Sequence, residues 1–261
     1  MRLYHNPMSS CSQKVRMALA EKGLSYDDTV IDLQKGEQFA ADYVALNPNA
    51  VVPTLVDGDA VLIESTLINE YIDDAYPQHA LRPDSAAGRH AIRLFCKKID
   101  DALHPACGVI TFAIGARPGL LARPREEVDA LIESIPSEAR RTARRSVVEH
   151  GVRSPLFVGA IETHADVFGI ADETLGHEAW LSGNAFGLAD CALIPYVLRA
   201  DHLGQGNLIS GLPNLARWYD AVRARDSYEE AIGQWVPEPV VAMFNKAGAA
   251  VKDEIAEVLG G

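Results

Sequence analysis

An α/β domain followed by an all-helical one is the architecture this sequence of 261 residues predicts, and three observations lead to it. β-prone runs and amphipathic helical runs alternate as far as residue 78. A polar stretch with two prolines, Pro77 to Ala87 (PQHALRPDSAA), then reads as a linker. From Gly88 onward helical periodicity takes over. The expected domains are 1–78 and 87–261, together long enough to bury a real core.

Composition narrows the possible partners. Hydrophobic residues make up 48% and charged residues 23%, as in an ordinary globular protein. The net charge of −12 argues against nucleic acid, because binding phosphate needs basic surface. No apolar run reaches the ~18 residues a membrane helix needs, and the N-terminus lacks a secretory pattern. No membrane partner is expected, and the cytoplasm is the expected location. Cys11, Cys96, Cys107 and Cys191 stand far apart with no CxxC pair, so reduced thiols are expected. The eight histidines form no HxxxH or HExxH pair, and no metal is expected.

The elements follow in order. Arg2 to His5 is a short β-prone run that breaks at Asn6-Pro7. Val15, Ala18 and Leu19 then carry the i, i+3, i+4 spacing of a helix that stops at Gly23. Ser9, Ser10, Cys11 and Ser12 fall in its first turn, where unpaired N–H groups and the helix dipole favour an anion such as a thiolate. Nearby Lys14 and Arg16 are expected to favour it further. SYDDTVIDL reads as a second strand and EQFAADYVAL as a short helix closed by Asn47-Pro48-Asn49. VVPTLVDGDAVLIES reads as two strands joined at Asp57-Gly58. Pro53 stands where a central strand should begin, which calls for an edge, a bulge or a cis bond. STLINEYIDDAY is a helix with Ser65 near its N-cap.

These residues carry a family resemblance. SSCSQKVRMALAEKGL resembles the entry motif of zeta-class glutathione transferases, and MSSCSQKVR is close to the same segment of glutathione-dependent reductive dehalogenases. ESTLINEYIDDAYP is similar to the bacterial β-aryl ether-cleaving enzymes of the same superfamily. The resemblance runs from Leu3 to about Pro77 and implies a thioredoxin-like first domain. It implies that Pro53 is cis, that the backbone of Val52 pairs with the cysteinyl part of glutathione, and that Glu64 and Ser65 hold its γ-glutamyl end. Gln38 and Ser12 are placed at glutathione in the same way. Physical chemistry agrees for Glu64 and Ser65. A helix-opening serine offers a hydroxyl and a free N–H to a carboxylate, and a glutamate accepts from an ammonium.

The second half is helical throughout. RHAIRLFCKKIDDALHPACGVITFAI has a long apolar stripe that Pro105 should interrupt or bend. Prolines 118, 124 and 136 and a basic cluster, Arg140, Arg141, Arg144 and Arg145, mark the next stretch. The cluster's i, i+1, i+4, i+5 spacing places it on one side of a helix. It is either a solvated face paired with Glu138 and Glu149 or a patch that binds an anion or a subunit. This long insertion resembles the ether-cleaving enzymes more than compact zeta-class ones. LSGNAFGLADCALIPYVLRADHLG resembles the buried helix of the superfamily, except that Gly187 stands where a hydroxyl residue caps it. Its reciprocal pair with Asp190 is therefore expected to be half missing. VAMFNKAGAAVKDEIAEVL is a final helix, over the cleft or on the outside.

The resemblance implies a glutathione-dependent transferase, with glutathione as co-substrate, an apolar aromatic co-substrate in the cleft, and a homodimer. Ser9 and Ser10 are the expected donors to the glutathione thiolate. Cys11 is either a bystander, as in the isomerases, or the thiol that attacks a glutathionyl thioether, as in the dehalogenases. Displacement at an aryl ether is the expected reaction. Reductive dehalogenation, cis–trans isomerisation and a non-catalytic binding module are the alternatives.

Overall fold

The computed structural model describes residues 1–260. β1 (Arg2–His5), α1 (Ser10–Glu21) and β2 (Asp27–Val30) form a parallel βαβ unit. α2 (Ala41–Leu46), β3 (Thr54–Asp57), β4 (Ala60–Leu62) and α3 (Ser65–Ala75) complete the first half. The sheet order is β2-β1-β3-β4, with β3 antiparallel to both of its neighbours. Asp57 pairs with Ala60, so the tight turn is Gly58-Asp59, one residue later than expected. Gly58 takes φ +58°, a value glycine adopts without steric cost. The helix expected at Glu37–Leu46 is divided. Glu37–Phe39 is a single 3-10 turn, and Ala40 is extended before α2 begins.

α1 is wedged between two cores. Val15 and Leu19 face the sheet and α3, packing on Leu3, Leu55, Ile68 and Ile72, all fully buried. Met17 and Ala18, on its other side, join the larger core of the helical half. Burial of each such aliphatic side chain stabilises by roughly 1.5–3 kcal/mol. Polar contacts fix the same docking. Arg225 grips Glu21 with two parallel bonds of 2.7 and 2.8 Å, and Arg16 Nε donates to the Ala231 carbonyl at 2.6 Å. The first turn of α1 is thus held where the two halves meet.

The helical half opens with α4 (Ala86–Lys98), which runs through a π-helical segment, Ile99–Leu103, into α5 (His104–Ile110). A second π segment, Thr111–Ala116, leads to α6 (Arg117–Leu121). Pro105 does not break the run; it follows the first π segment, where a wider turn accommodates its ring. Then come α7 (Arg125–Glu133), α8 (Glu138–His150), α9 (Phe157–Leu175), α10 (Leu188–His202), α11 (Asn207–Ser210), α12 (Pro213–Arg223), α13 (Asp226–Ala231), α14 (Glu238–Ala250) and α15 (Lys252–Val258). α10 is buried along nearly its whole length. The last expected helix is two, and Phe244, Ala247 and Ile255 pack them against Ile110, Ile114 and Leu203. Among the described residues no helix is long and apolar enough to cross a membrane.

The start of α10 corrects one expectation. Gly187 has no side chain to cap the helix, but neighbouring chain supplies what it lacks. Ser182 Oγ accepts from the Ala189 N–H at 3.1 Å, and the Leu81 carbonyl accepts from the Leu188 N–H at 2.9 Å. The Asp190 carboxylate accepts from the amides of Leu181, Ser182 and Gly187 and from Trp218 Nε1, all within 3.1 Å. The cap is complete, though its parts are distant in sequence.

Candidate functional site

The turn between β1 and α1 is built before it is decorated. Asn6 Nδ2 donates to the Ile31 carbonyl at 2.9 Å, Asn6 Oδ1 accepts from the Met8 N–H at 2.9 Å, and Ser12 Oγ accepts from the Asn6 N–H at 3.2 Å. Arg16, fully buried, closes the back by donating to the Asn6 and Pro7 carbonyls and contacting His5 Nδ1. Two expectations change here. Ser12 is fully buried and its hydroxyl belongs to the turn, so it does not face a ligand. Arg16 braces the turn from behind rather than standing beside the thiol. His5, with Arg16 beside it and no water around it, is pushed down to about 4 by burial and is neutral.

Ser9 is the N-cap of α1. Its hydroxyl accepts from the Ser12 N–H at 3.2 Å and keeps its own proton to donate. Ser10 is buried with its hydroxyl toward Cys107, which leaves Ser9 as the serine at the surface of the turn. Among the described residues the amides of Ser10 and Cys11 have no backbone partner. They are an open, positive helix end.

Cys11 occupies that end and is partly exposed. His104, the first residue of α5, lies across from it with Nδ1 at 3.6 Å and Nε2 at 3.8 Å from the sulfur. Tyr196 Oη is 3.2 Å from His104 Nδ1. Burial alone would raise the thiol, but the His104 charge and hydrogen bond, Lys14 and the Ser65 hydroxyl together lower Cys11 to about 6. The thiolate in turn raises His104. Lys14 is itself fully buried, held by Thr66 at 2.9 Å and Asp100 at 2.7 Å. Cys96, Cys107 and Cys191 are all shifted upward by burial. One thiol of four is therefore ionised near neutrality. Sequence spacing gives no sign of this pair, since 93 positions separate Cys11 from His104. The one local hint is a polar His-Pro step inside an apolar helical stripe.

Of the residues expected to grip glutathione, Ser65 brings its hydroxyl to Cys11. The Val52–Pro53 peptide is cis. Among the described residues the N–H and carbonyl of Val52 make no backbone hydrogen bond, although β3 starts two residues later. Tyr43 and Asn47 hold the preceding Val51 carbonyl at 2.6 and 2.9 Å. Glu64 is exposed, takes φ +68°, and accepts from Asn49 Nδ2 at 3.2 Å. Ser65 opens α3 with its N–H free of backbone partners. Gln38 is buried, and its Oε1 is one of the few buried polar atoms without a partner. Free backbone at Val52, an orphaned amide oxygen at Gln38 and two open helix starts suit a peptide-like, anionic ligand.

The basic cluster of α8 divides. Arg141 and Arg145 pair with Glu133 of α7, not with Glu138 or Glu149. Arg140 and Arg144 have no salt-bridge partner among the described residues, and the Arg144 guanidinium stacks over the Phe112 ring. Two surface hollows, of about 390 and 330 Å³, lie elsewhere, lined by residues such as His202, Val236 and Glu238 or His150, Arg153 and Glu254.

Residues 8–75 match the family described as glutathione S-transferase, N-terminal domain, and residues 149–221 its C-terminal domain. The chain is 32% identical to the tetrachloro-p-hydroquinone reductive dehalogenase of Sphingobium chlorophenolicum, covering 88% of this chain and 94% of that one. It is 28% identical to glutathione S-transferase 3 of Zea mays, covering 92% and 96%. Its fold superposes on the β-etherase LigF of Sphingobium sp. strain SYK-6 with a TM-score of 0.80, at 25% identity over 89% of this chain and 98% of that one.

Proposed function

Since the chain belongs to the glutathione S-transferase family, we propose that it is a glutathione-dependent enzyme acting on an aromatic electrophile, with Cys11 as its working protein thiol. The observation that carries this reading is the Cys11 thiolate at an open helix end beside His104. Glutathione, the family's co-substrate, fits the residues present. Val52 offers free backbone for its cysteinyl part, Glu64 and Ser65 suit its γ-glutamyl end, and Gln38 has an acceptor to spare. The division into 1–78 and 87–261 is part of the same reading, with the co-substrate between the halves. So is a homodimer, for which Leu67 and Leu94, each 61% exposed, provide apolar surface.

The residues divide the chemistry between them. Ser9 and the amides of Ser10 and Cys11 stabilise the glutathione thiolate. That thiolate displaces an aryloxide or halide, which leaves with its electron pair, and a thioether forms. Cys11 then attacks the glutathionyl sulfur. The S–S bond forms, the C–S bond breaks, and the carbon keeps the electron pair and takes a proton for which His104 is the nearest source. A second glutathione thiolate reduces the mixed disulfide, giving glutathione disulfide and regenerating Cys11. Similarity to the reductive dehalogenase supports this two-stage course. Similarity to the β-etherase supports a course that ends after the first displacement, with Ser9 and the open amides sufficient.

Two measurements test the site. Ser65→Ala removes a hydroxyl from the expected γ-glutamyl position and should weaken glutathione binding about 10- to 100-fold, the worth of a charge-assisted hydrogen bond. Calorimetry showing unchanged affinity would take Ser65 out of the site. Alkylation of Cys11 by iodoacetamide, followed by mass spectrometry, should rise with pH about a midpoint near 6. A lowered thiol is ionised above that midpoint, so at pH 7 the reaction is already fast. In His104→Gln the midpoint should move up toward an ordinary thiol, about 8.5. An ordinary midpoint in the unaltered protein would refute the ion pair.

A further inference from the structure

In contrast to Arg141 and Arg145, Arg140 and Arg144 are two neighbouring cations with no salt-bridge partner among the described residues. They are four residues apart on α8, so both side chains lie on one side of that helix. α8 packs on the π segment Thr111–Ala116 that carries Phe112. Burial lowers Arg144 to about 9 and lowers Arg140 as well, and Arg140 disfavours the charge on Arg144 further. The helical run that carries Phe112 under Arg144 also carries His104 beside Cys11, which places Arg144 on the Cys11 side of the helical half. The chain carries 36 acidic residues, and the adjacent stripe, Arg141 and Arg145, has claimed one of them in Glu133. Arg140 is exposed and Arg144 half-buried, so water hydrates both charges, and two neighbouring guanidiniums without a carboxylate are free to take an outside anion.

The space beside them has the right floor. His104, Gly108 and Phe112 follow at four-residue steps along one helical run, about 12 Å from end to end at 1.5 Å per residue. Cys11 faces the His104 end, and Arg144 covers the Phe112 end. A Cβ added at Gly108 would meet no atom within 4 Å. Gly108 thus leaves room on the run between His104 and Phe112.

We propose that Arg140 and Arg144 form a carboxylate subsite in the co-substrate groove, so that the aromatic electrophile of this protein carries an ionised carboxyl group at the end remote from its reacting carbon. The planar guanidinium fork matches a carboxylate in two-point geometry, and Phe112 beneath Arg144 holds that guanidinium in place. This rests on the groove being the co-substrate site, and the test separates the two ideas.

Nitrobenzoate and its uncharged analogue nitrobenzamide are titrated calorimetrically into the full chain, with and without glutathione. The unaltered protein should bind the acid at least about 10-fold more tightly than the amide. The double variant R140Q/R144Q, which keeps helix propensity, should lose about 10- to 100-fold for the acid and less than about 2-fold for the amide. R140K/R144K should recover only part of the loss. Equal binding of acid and amide by the unaltered protein overturns the subsite, as does equal loss of both in R140Q/R144Q. Glutathione is titrated separately. If its own affinity falls in R140Q/R144Q as much as that of the acid, the arginines hold the tripeptide and the proposal fails. If glutathione does not bind the unaltered protein, the parent reading fails, while the comparison of acid and amide without glutathione still decides the subsite.

Discussion

Cys11→Ser should leave the first displacement working and abolish the second stage. With a halogenated hydroquinone as electrophile, a glutathione conjugate should accumulate in stoichiometric excess over enzyme, and release of reduced product should fall about 10³-fold or more, the scale of losing a nucleophile. The reason is geometric. In the structure Cys11 is the thiol that stands beside both an imidazole and open helix amides, and it is the one shifted to about 6. A serine hydroxyl in its place cannot ionise near neutral pH or leave from a mixed disulfide. The same variant tested on a β-aryl ether distinguishes the courses, since ether cleavage that ends after displacement should retain most of its rate. Ser9→Ala should slow both by about 10²-fold as the activating donor is lost. Full reductive turnover by Cys11→Ser with no conjugate detected would remove Cys11 from the chemistry.

The second large effect concerns stability at the start of α10. Gly187→Ser looks like a repair, because it installs the hydroxyl that caps the corresponding helix in the family the sequence resembles. The structure predicts the reverse. A Cβ at Gly187 would stand 2.2 Å from the Leu81 carbonyl oxygen and 2.8 Å from the Ser182 side chain. Backbone must therefore move, and the Leu81–Leu188 and Ser182–Ala189 bonds go with it. The conformation itself is not the obstacle, since φ of −163° is ordinary extended backbone. Gly187→Ser should cost about 3 kcal/mol, the upper range for overpacking. Asp190→Ala should cost about 3–5 kcal/mol, because one buried carboxylate satisfies three amides and an indole N–H. In thermal melts each kcal/mol is about 2–4 °C for a chain of this size. A Gly187→Ser protein as stable as the original would show that this helix start relaxes freely.

What could be read from the sequence was local. A β-prone run, a break at Asn6-Pro7 and a helical stripe specify strand, turn and helix within about twenty residues, because backbone preference and side-chain period act at that range. Pro53 before β3, Ser65 at a helix start and the hairpin glycine followed from the same short-range rules. The orientation of each side chain did not. Ser9, Ser10, Cys11 and Ser12 are about 100° apart around α1. Packing alone decides that Cys11 meets His104 while Ser10 turns to Cys107 and Ser12 to Asn6. Arg16 was assigned to the thiol by proximity in sequence and instead braces the turn, because its stripe of α1 faces Trp235 and Ala231.

The sequence by itself thus determined the two-part architecture, the helix end at Ser9–Ser12 and the residue types around it, since each depends on neighbours a few positions away. The tertiary structure decided which of those groups meet. His104 becomes the partner of Cys11 only when α5 is laid against α1, 93 positions away. The four arginines of α8 read as one face, yet α7 brings Glu133 to one stripe and the π segment brings Phe112 to the other. A charge costs least where a counter-charge already waits. Only the assembled fold settles which charges have been neutralised and which are left for a ligand.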